Sequence, residues 1–500
     1  MAEVSAASAE AATDSGAQSN APIDARRLAG NYLLLLAGEL LAKLVNFFAF
    51  TFLGRILGAA RYGNLEFTLA VMVFFTLPVD LGLGVFGARE VAKDRRSASL
   101  LLINITLLRA LLALVSLAVL LLFVWGIRVP AEVKQLLLWY GCSLLGVPLL
   151  LQWFFQGHDR MQWVALASLV RYGIFAGLVF FFVRPGTPLV AIGLVECAAV
   201  AAVAIFCVVV AASRFDLRLA KRGLCLRDTL SYLREAVPIG LTELTWAFLW
   251  YIATVLLGLM IADDSLGWFG ASHRALMALH TFVWLYFFNL LPSIARGVHG
   301  PRTDLQKLLV RSLRFTVWTG VLAALTVAML SGVLLRVAYG PAFAPGGSLF
   351  ATLIWMIPIA LASGHYRYTL IAYNRQILLF RATAAAAALV VAGCLILIPR
   401  FGAHGAAWAL LAGCTFEFGL VWAYVRRQIV VVDFAPHLTK PAVTAVCCFS
   451  LYLGVAVWNP VWAAMAAAGL YLVVMGVWEG REIRQAAAVL LPARPGRARQ

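Results

Sequence analysis

Apolar runs of about 20 residues recur along the whole 500-residue chain, each closed by a short stretch bearing glycine, arginine or proline. A helix needs that length to cross roughly 30 Å of hydrocarbon, whereas a membrane strand needs about half of it, with apolar and polar positions alternating. These runs do not alternate, so the chain reads as an all-α polytopic membrane protein. A mean hydropathy of +0.90, with 63% hydrophobic and 13% charged residues, excludes a soluble fold that hides its apolar side chains in one core.

Fourteen transmembrane helices are expected, at 29–53, 64–86, 100–125, 134–156, 162–183, 188–212, 236–262, 267–295, 308–334, 347–372, 377–398, 402–425, 439–457 and 461–478. Residues 1–24 are small, polar and mildly acidic and read as a disordered cytoplasmic tail, with no cleavable signal peptide. On these boundaries about 28 of the 40 lysines and arginines fall on the side of the N-terminus and about 7 on the other. Basic loops stay in the cytoplasm, which places both termini there. The net charge of +17 is then a matter of topology and of attraction to anionic membrane lipids, and no nucleic acid is needed to explain it. The eight cysteines mostly lie inside apolar runs without paired spacing, so they read as small packing residues rather than metal ligands. Loops on the far side are too short for an extracytoplasmic catalytic domain.

Shifting the chain by 204 residues lays GELLAKLVNFFAFTFLGRILGAARYG (38–63) over TELTWAFLWYIATVLLGLMIADDSLG (242–267). Glu39 then falls on Glu243, Leu53-Gly54 on Leu257-Gly258, and Gly63 on Gly267. FQGHDRMQ (155–162) and IAYNRQIL (371–378) give a fainter echo, with Arg160 over Arg375. Parallel repeats six spans apart suit a transporter whose halves rock around a substrate. The expected organisation is a six-helix lobe at 25–235, a pseudo-symmetric second lobe at 236–430, and two further helices with a basic cytoplasmic tail at 431–500.

The first span ends in LGRILGAARYGNLEF (53–67) and the second closes with VDLGLGVFGAREVAKDR (79–95). With these stretches the chain resembles the oligosaccharide flippase branch of the multidrug/oligosaccharidyl-lipid/polysaccharide exporter superfamily. The resemblance implies two six-helix bundles in a V around a central cavity. It also implies an activity: movement of an undecaprenyl-diphosphate-linked oligosaccharide across the bacterial inner membrane for cell-surface polysaccharide synthesis, alongside other polysaccharide-assembly membrane proteins. In 53–67 itself, Gly54, Gly58 and Gly63 are expected to let the chain reverse and pack closely. Arg55 and Arg61 are expected to anchor the turn at lipid phosphates or Glu66, or to touch a gate.

Ionisable residues near mid-membrane cost about 2.5–3.5 kcal/mol each on insertion scales, so they are expected to face a cavity or a partner. Lys43, Arg109, Arg171, His273, Arg274, His280 and Trp284 are the candidate substrate contacts, and Glu39, Asp80 and Glu243 the candidate coupling groups. Glu39 and Lys43 stand one turn apart, either as a self-neutralising pair or with Lys43 offering its charge to a diphosphate. His273, Met277, His280 and Trp284 form one helical stripe with Arg274 beside it. Arg109 and Arg171 read equally as substrate contacts or as braces, Glu196 being a suitable partner. Arg367 reads as snorkelling to the interface. No nucleotide-binding GxxxxGK[ST] and no metal-ligand spacing occurs, so no cofactor is expected. An ion-coupled multidrug exporter and a membrane polysaccharide polymerase or ligase are the alternatives.

Overall fold

The computed structural model describes residues 25–215, 226–261, 263–298, 300–457 and 459–490. The expected tail 1–24, part of the basic cluster between Arg214 and Arg234, and the last ten residues lie outside the described residues. The helices are α1 (Ala25–Asp80), α2 (Leu83–Lys93), α3 (Ala98–Gly126), α4 (Ala131–Cys142), α5 (Gln152–Gly157), α6 (Met161–Phe182), α7 (Val190–Arg214) and α8 (Leu226–Met260). They continue with α9 (Asp264–Val298), α10 (Arg302–Tyr339), α11 (Gly347–Leu353), α12 (Met356–Ala372), α13 (Gln376–Gln428), α14 (Ala435–Val455) and α15 (Pro460–Leu490).

Among the described residues 12 helical stretches are long and apolar enough to cross a membrane. Two of them are double. The 56-residue α1 is broken at Gly58 (φ 73°, ψ 174°) and the 53-residue α13 at Gly402 (φ 57°, ψ −136°), conformations that only glycine adopts without strain. Each is about 80 Å long at 1.5 Å per residue, enough for two crossings. Counted by crossings, the fold has about fourteen. Of the three glycines expected to turn the chain, Gly58 alone does so. Gly54 and Gly63 stay helical and supply the close packing that was also expected of these glycines: a Cβ on Gly54 would sit 2.6 Å from the Tyr339 ring, and one on Gly63 would sit 2.7 Å from the Gly267 nitrogen.

The backbone carries the repeat more clearly than the side chains do. Asp159 (φ 58°) and Asn374 (φ 54°) are left-handed, and each is followed by an arginine, Arg160 or Arg375, that caps the next helix. Arg160 N bonds to Phe155 O at 2.9 Å and Arg375 N to Leu370 O at 2.8 Å, the same turn twice. The spans that lead into those turns are both irregular. One is α4, two 3-10 turns and α5; the other is a 3-10 turn, α11 and α12. Helix α1 packs against α6, α8 and α9, while α13 packs against α8 and α12. The last pair, α14 and α15, packs on itself and on α10. Lipid supplies no hydrophobic drive between helices, so close contacts fall on small residues: Gly38 against Ala165, Gly413 against Val390.

Candidate functional site: a cavity in one half of the bundle and a seal in the other

The helices alternate between two ends of the bundle, the near end being that at which α1 begins. A cavity of about 570 Å³ lies in the near half, between α1, α8, α9, α12 and α13. Its polar lining is Glu39, Lys43, His280, Arg367 and Glu417, and its aromatic wall is Trp246, Trp250, Trp284, Phe287 and Tyr368. Glu39 accepts a hydrogen bond from Ser168 Oγ at 2.6 Å. The Glu39–Lys43 pair is not formed. The Lys43 ammonium instead sits 5.9 Å from the Trp284 ring centroid and has no carboxylate partner among the described residues. His280 stands against Trp250 with ring centroids 4.8 Å apart. Arg367 does not snorkel: its guanidinium is paired with Glu417, which also accepts from Thr383 Oγ1 at 2.6 Å.

The remaining candidates lie outside this lining. His273, one turn before the cavity stripe on α9, is 5% exposed, stacks parallel to Phe269 at 6.2 Å and stands edge-on to Tyr251 at 5.5 Å. Its Nε2 has no hydrogen-bond partner among the described residues. Arg274 is gripped by both oxygens of Glu66, at 2.5 and 2.9 Å, with its guanidinium carbon 3.6 Å from the Phe50 ring centroid. Arg109 is buried against Asp80 at 3.0 Å and donates to Leu150 O at 3.3 Å. Arg171 pairs with Glu196 at 2.9 Å, linking α6 to α7. Glu243 is half-buried on α8. Lys43, Glu39, His280 and Trp284 line one cavity, and Arg367 and Glu417, which the sequence reading did not pair, line it with them.

At the far end the two halves of the chain meet without a gap. A Cβ on Gly267 would lie 2.0 Å from the carbonyl oxygen of Ala59, so the backbones of α1 and α9 touch there. Below this point Tyr62, Tyr339 and Phe343, each at most 1% exposed, pack edge-on or tilted with centroids 5.3–5.6 Å apart. The Glu66–Arg274 pair crosses the same interface, and Gly270 leaves the room that Glu66 fills. Arg55 donates to the carbonyls of Val337 and Ala338, the last turn of α10, where a cation is favoured by the helix dipole. Arg61 pairs with Glu132 at 2.8 Å and donates to Thr187 O at 2.8 Å. Neither arginine is left for a lipid phosphate alone. On one flank the halves also touch at the near end: Gly82 packs on Ala236 and Gly240, and Arg89 pairs with Glu235 at 2.9 Å.

Comparison with known proteins agrees with this geometry. Residues 28–298 match the family model described as polysaccharide biosynthesis protein. A protein of Escherichia coli (strain K12) provisionally named an O-antigen transporter is 22% identical over 408 residues, covering 80% of this chain and 97% of its own. The fold is shared with the lipid II flippase MurJ in an inward closed conformation, at TM-score 0.73 and 13% identity, over 90% of this chain and 100% of that one. It is shared also with an inward-facing multidrug resistance MATE family transporter of the MOP superfamily, at TM-score 0.65 and 14% identity, over 77% of this chain and 94% of that one.

Proposed function

The chain belongs to the polysaccharide biosynthesis protein family, and from that premise we propose that it is a bacterial inner-membrane flippase. Its cargo is an undecaprenyl-diphosphate-linked oligosaccharide, moved from the cytoplasmic to the periplasmic leaflet by alternating access. The observation that carries the reading is the cavity beside Lys43: an ammonium without a carboxylate partner among the described residues, next to an aromatic wall. A compact unpaired cation suits a diphosphate, and flat indole faces suit the C–H faces of sugar rings. His280 and Trp284 belong to that wall, and Glu39, held by Ser168, ties α1 to α6 beside it.

The near end is assigned to the cytoplasm on the lysine and arginine bias. The headgroup enters the cavity there while the polyprenyl tail stays in lipid. Rocking of the two lobes, 25–235 and 236–430, then parts the far-end seal. Arg109 and Arg171 act as braces through Asp80 and Glu196, and Arg274 and His273 act at the seal, reaching cargo only as it opens. Moving about two negative charges outward across 100 mV, inside negative, releases roughly 4–5 kcal/mol, which gives the transport its direction. Glu39, Asp80 and Glu243 are the groups assigned to any proton coupling.

The test is reconstitution in liposomes with a fluorescent undecaprenyl-diphosphate oligosaccharide, comparing wild type with Lys43→Ala at equal protein. A charged hydrogen bond is worth about 1.5–3 kcal/mol, so Lys43→Ala is expected to lose roughly ten- to hundredfold in translocation. Export of a cationic dye by a wild type that flips none of several glycans overturns the reading in favour of an ion-coupled multidrug exporter.

A further inference from the structure

Two side-chain cations face the cavity, and they differ in one respect. Lys43 has no carboxylate partner among the described residues, whereas Arg367 is occupied by Glu417. Glu417 comes from the second crossing of α13 and is 5% exposed, and Thr383 from the first crossing of the same helix donates to the oxygen that Arg367 uses, Oε1. The carboxylate is thus held on the guanidinium by a third group, and both ends of the pair line the cavity. Carboxylate and phosphate oxygens accept from the same guanidinium N–H groups, so Glu417, bonded through Oε1 to Nη1 of Arg367, stands where an anionic headgroup would bind.

We propose that Glu417 is an internal competitor for the cargo's phosphate, masking Arg367 until a diphosphate displaces it. The inference rests on the flippase reading and adds a selectivity device to the same site. The mask lowers the apparent affinity of every anion by the same factor, so a diphosphate, with more charge and more acceptor oxygens, still fills the site, while a monophosphate or the phosphodiester of an ordinary phospholipid falls below the affinity needed to occupy it. Lys43 attracts every anion, and the masked Arg367 supplies the discrimination. The groups facing Glu417 are Arg367 on α12, Thr383 and Cys414 on α13, and, across the cavity, Glu39 and Lys43 on α1 and His280 on α9. Displacement turns the carboxylate toward this polar space and away from lipid.

The experiment is calorimetric titration of the full chain, in nanodiscs of zwitterionic phosphatidylcholine, with farnesyl diphosphate, farnesyl monophosphate and inorganic diphosphate. If the unmasked state is occupied about a tenth of the time, apparent affinity is lowered about tenfold, and Glu417→Gln restores it. The expected result is therefore roughly tenfold tighter binding of both farnesyl diphosphate and farnesyl monophosphate by Glu417→Gln, so that the monophosphate is bound at concentrations where wild type leaves it free. Thr383→Val, which frees one side of the carboxylate without burying a lone charge, is expected to show the same trend more weakly. The charge-balanced double variant Arg367→Gln/Glu417→Gln is expected to show no gain over wild type.

Unchanged or weaker binding by both Glu417→Gln and Thr383→Val, with wild-type binding intact, overturns the masking and leaves the flippase reading standing. A gain that persists without Arg367 also overturns it. Equal binding of inorganic and farnesyl diphosphate overturns the assignment of the site to a lipid headgroup. Absence of farnesyl diphosphate binding in every form overturns the flippase reading and the masking together.

Discussion

Substituting Gly267 by alanine adds one methyl group where two backbones already touch. The new Cβ would lie 2.0 Å from Ala59 O and 2.7 Å from its carbonyl carbon, against the 3.4 Å or more of ordinary contact. The two backbones must therefore part by about 1.4 Å. Neither side offers a flexible side chain to absorb the shift, because the opposing atoms are main chain. Forcing a methyl into a filled site costs about 1–3 kcal/mol. Here the cost falls on the conformation in which the far end is sealed, and it is relieved when the halves separate. The sealed state is thus disfavoured by about 5- to 150-fold relative to the open one. The assay is maleimide labelling of a cysteine at Ala271, which is 0% exposed one turn from Gly267, in an otherwise cysteine-free chain. Adding Gly267→Ala is expected to raise the labelling rate at least about fivefold and to slow cargo translocation, with cavity side chains untouched. An unchanged labelling rate, in a protein of unchanged thermal stability, would refute the backbone seal.

Three further outcomes follow from particular residues. Arg109→Met strands Asp80 inside the bundle and is expected to cost about 3–5 kcal/mol in detergent unfolding, whereas the double variant Arg109→Met/Asp80→Leu recovers most of it. Gly58→Ala forces a side chain into a left-handed break and is expected to lower stability by about 1–2 kcal/mol, with Gly402→Ala behaving alike; an ordinary surface Gly→Ala on α15 serves as the control. His158, in the near-end turn before α6, is held below its usual value near 6.5 by burial, with Arg95 and Arg160 adding to the effect. The unfolded chain therefore binds this proton more readily, so stability is full above pH 6.5 and falls as the pH drops from there toward the folded value. His158→Phe, which keeps the ring among Phe154 and Phe215, is expected to flatten that part of the stability profile in a thermal scan against pH.

The spans were legible because hydrocarbon thickness imposes a length and because lysine and arginine mark the loops. Gly58 could be read as punctuation, but its neighbours could not be ranked: whether a glycine turns the chain or lets another helix approach depends on what lies opposite. The embedded charges were visible one by one, while their partners were not. Glu66 and Arg274 are 208 positions apart, and only the approach of α1 to α9 pairs them. A signal for that approach was present, since Gly63 and Gly267 were already matched by the repeat and Glu66 and Arg274 lie three and seven residues beyond them, on neighbouring faces. Arg367 was misread for a related reason. Its position near a helix end suggests solvent, and its actual partner comes from a helix that returns through the break at Gly402.

The far-end seal is made of main-chain contact and edge-on rings, with an ion pair whose carboxylate is less than a tenth exposed and whose guanidinium is about a fifth exposed. Dissolved salt has little to screen there, since screening acts on exposed charge. The cavity is the reverse case, with a cation held against a ring face and open to its surroundings. On the proposed cycle, ionic strength therefore acts on loading and leaves gating almost untouched, so its two halves are separable by nothing more than the composition of the buffer.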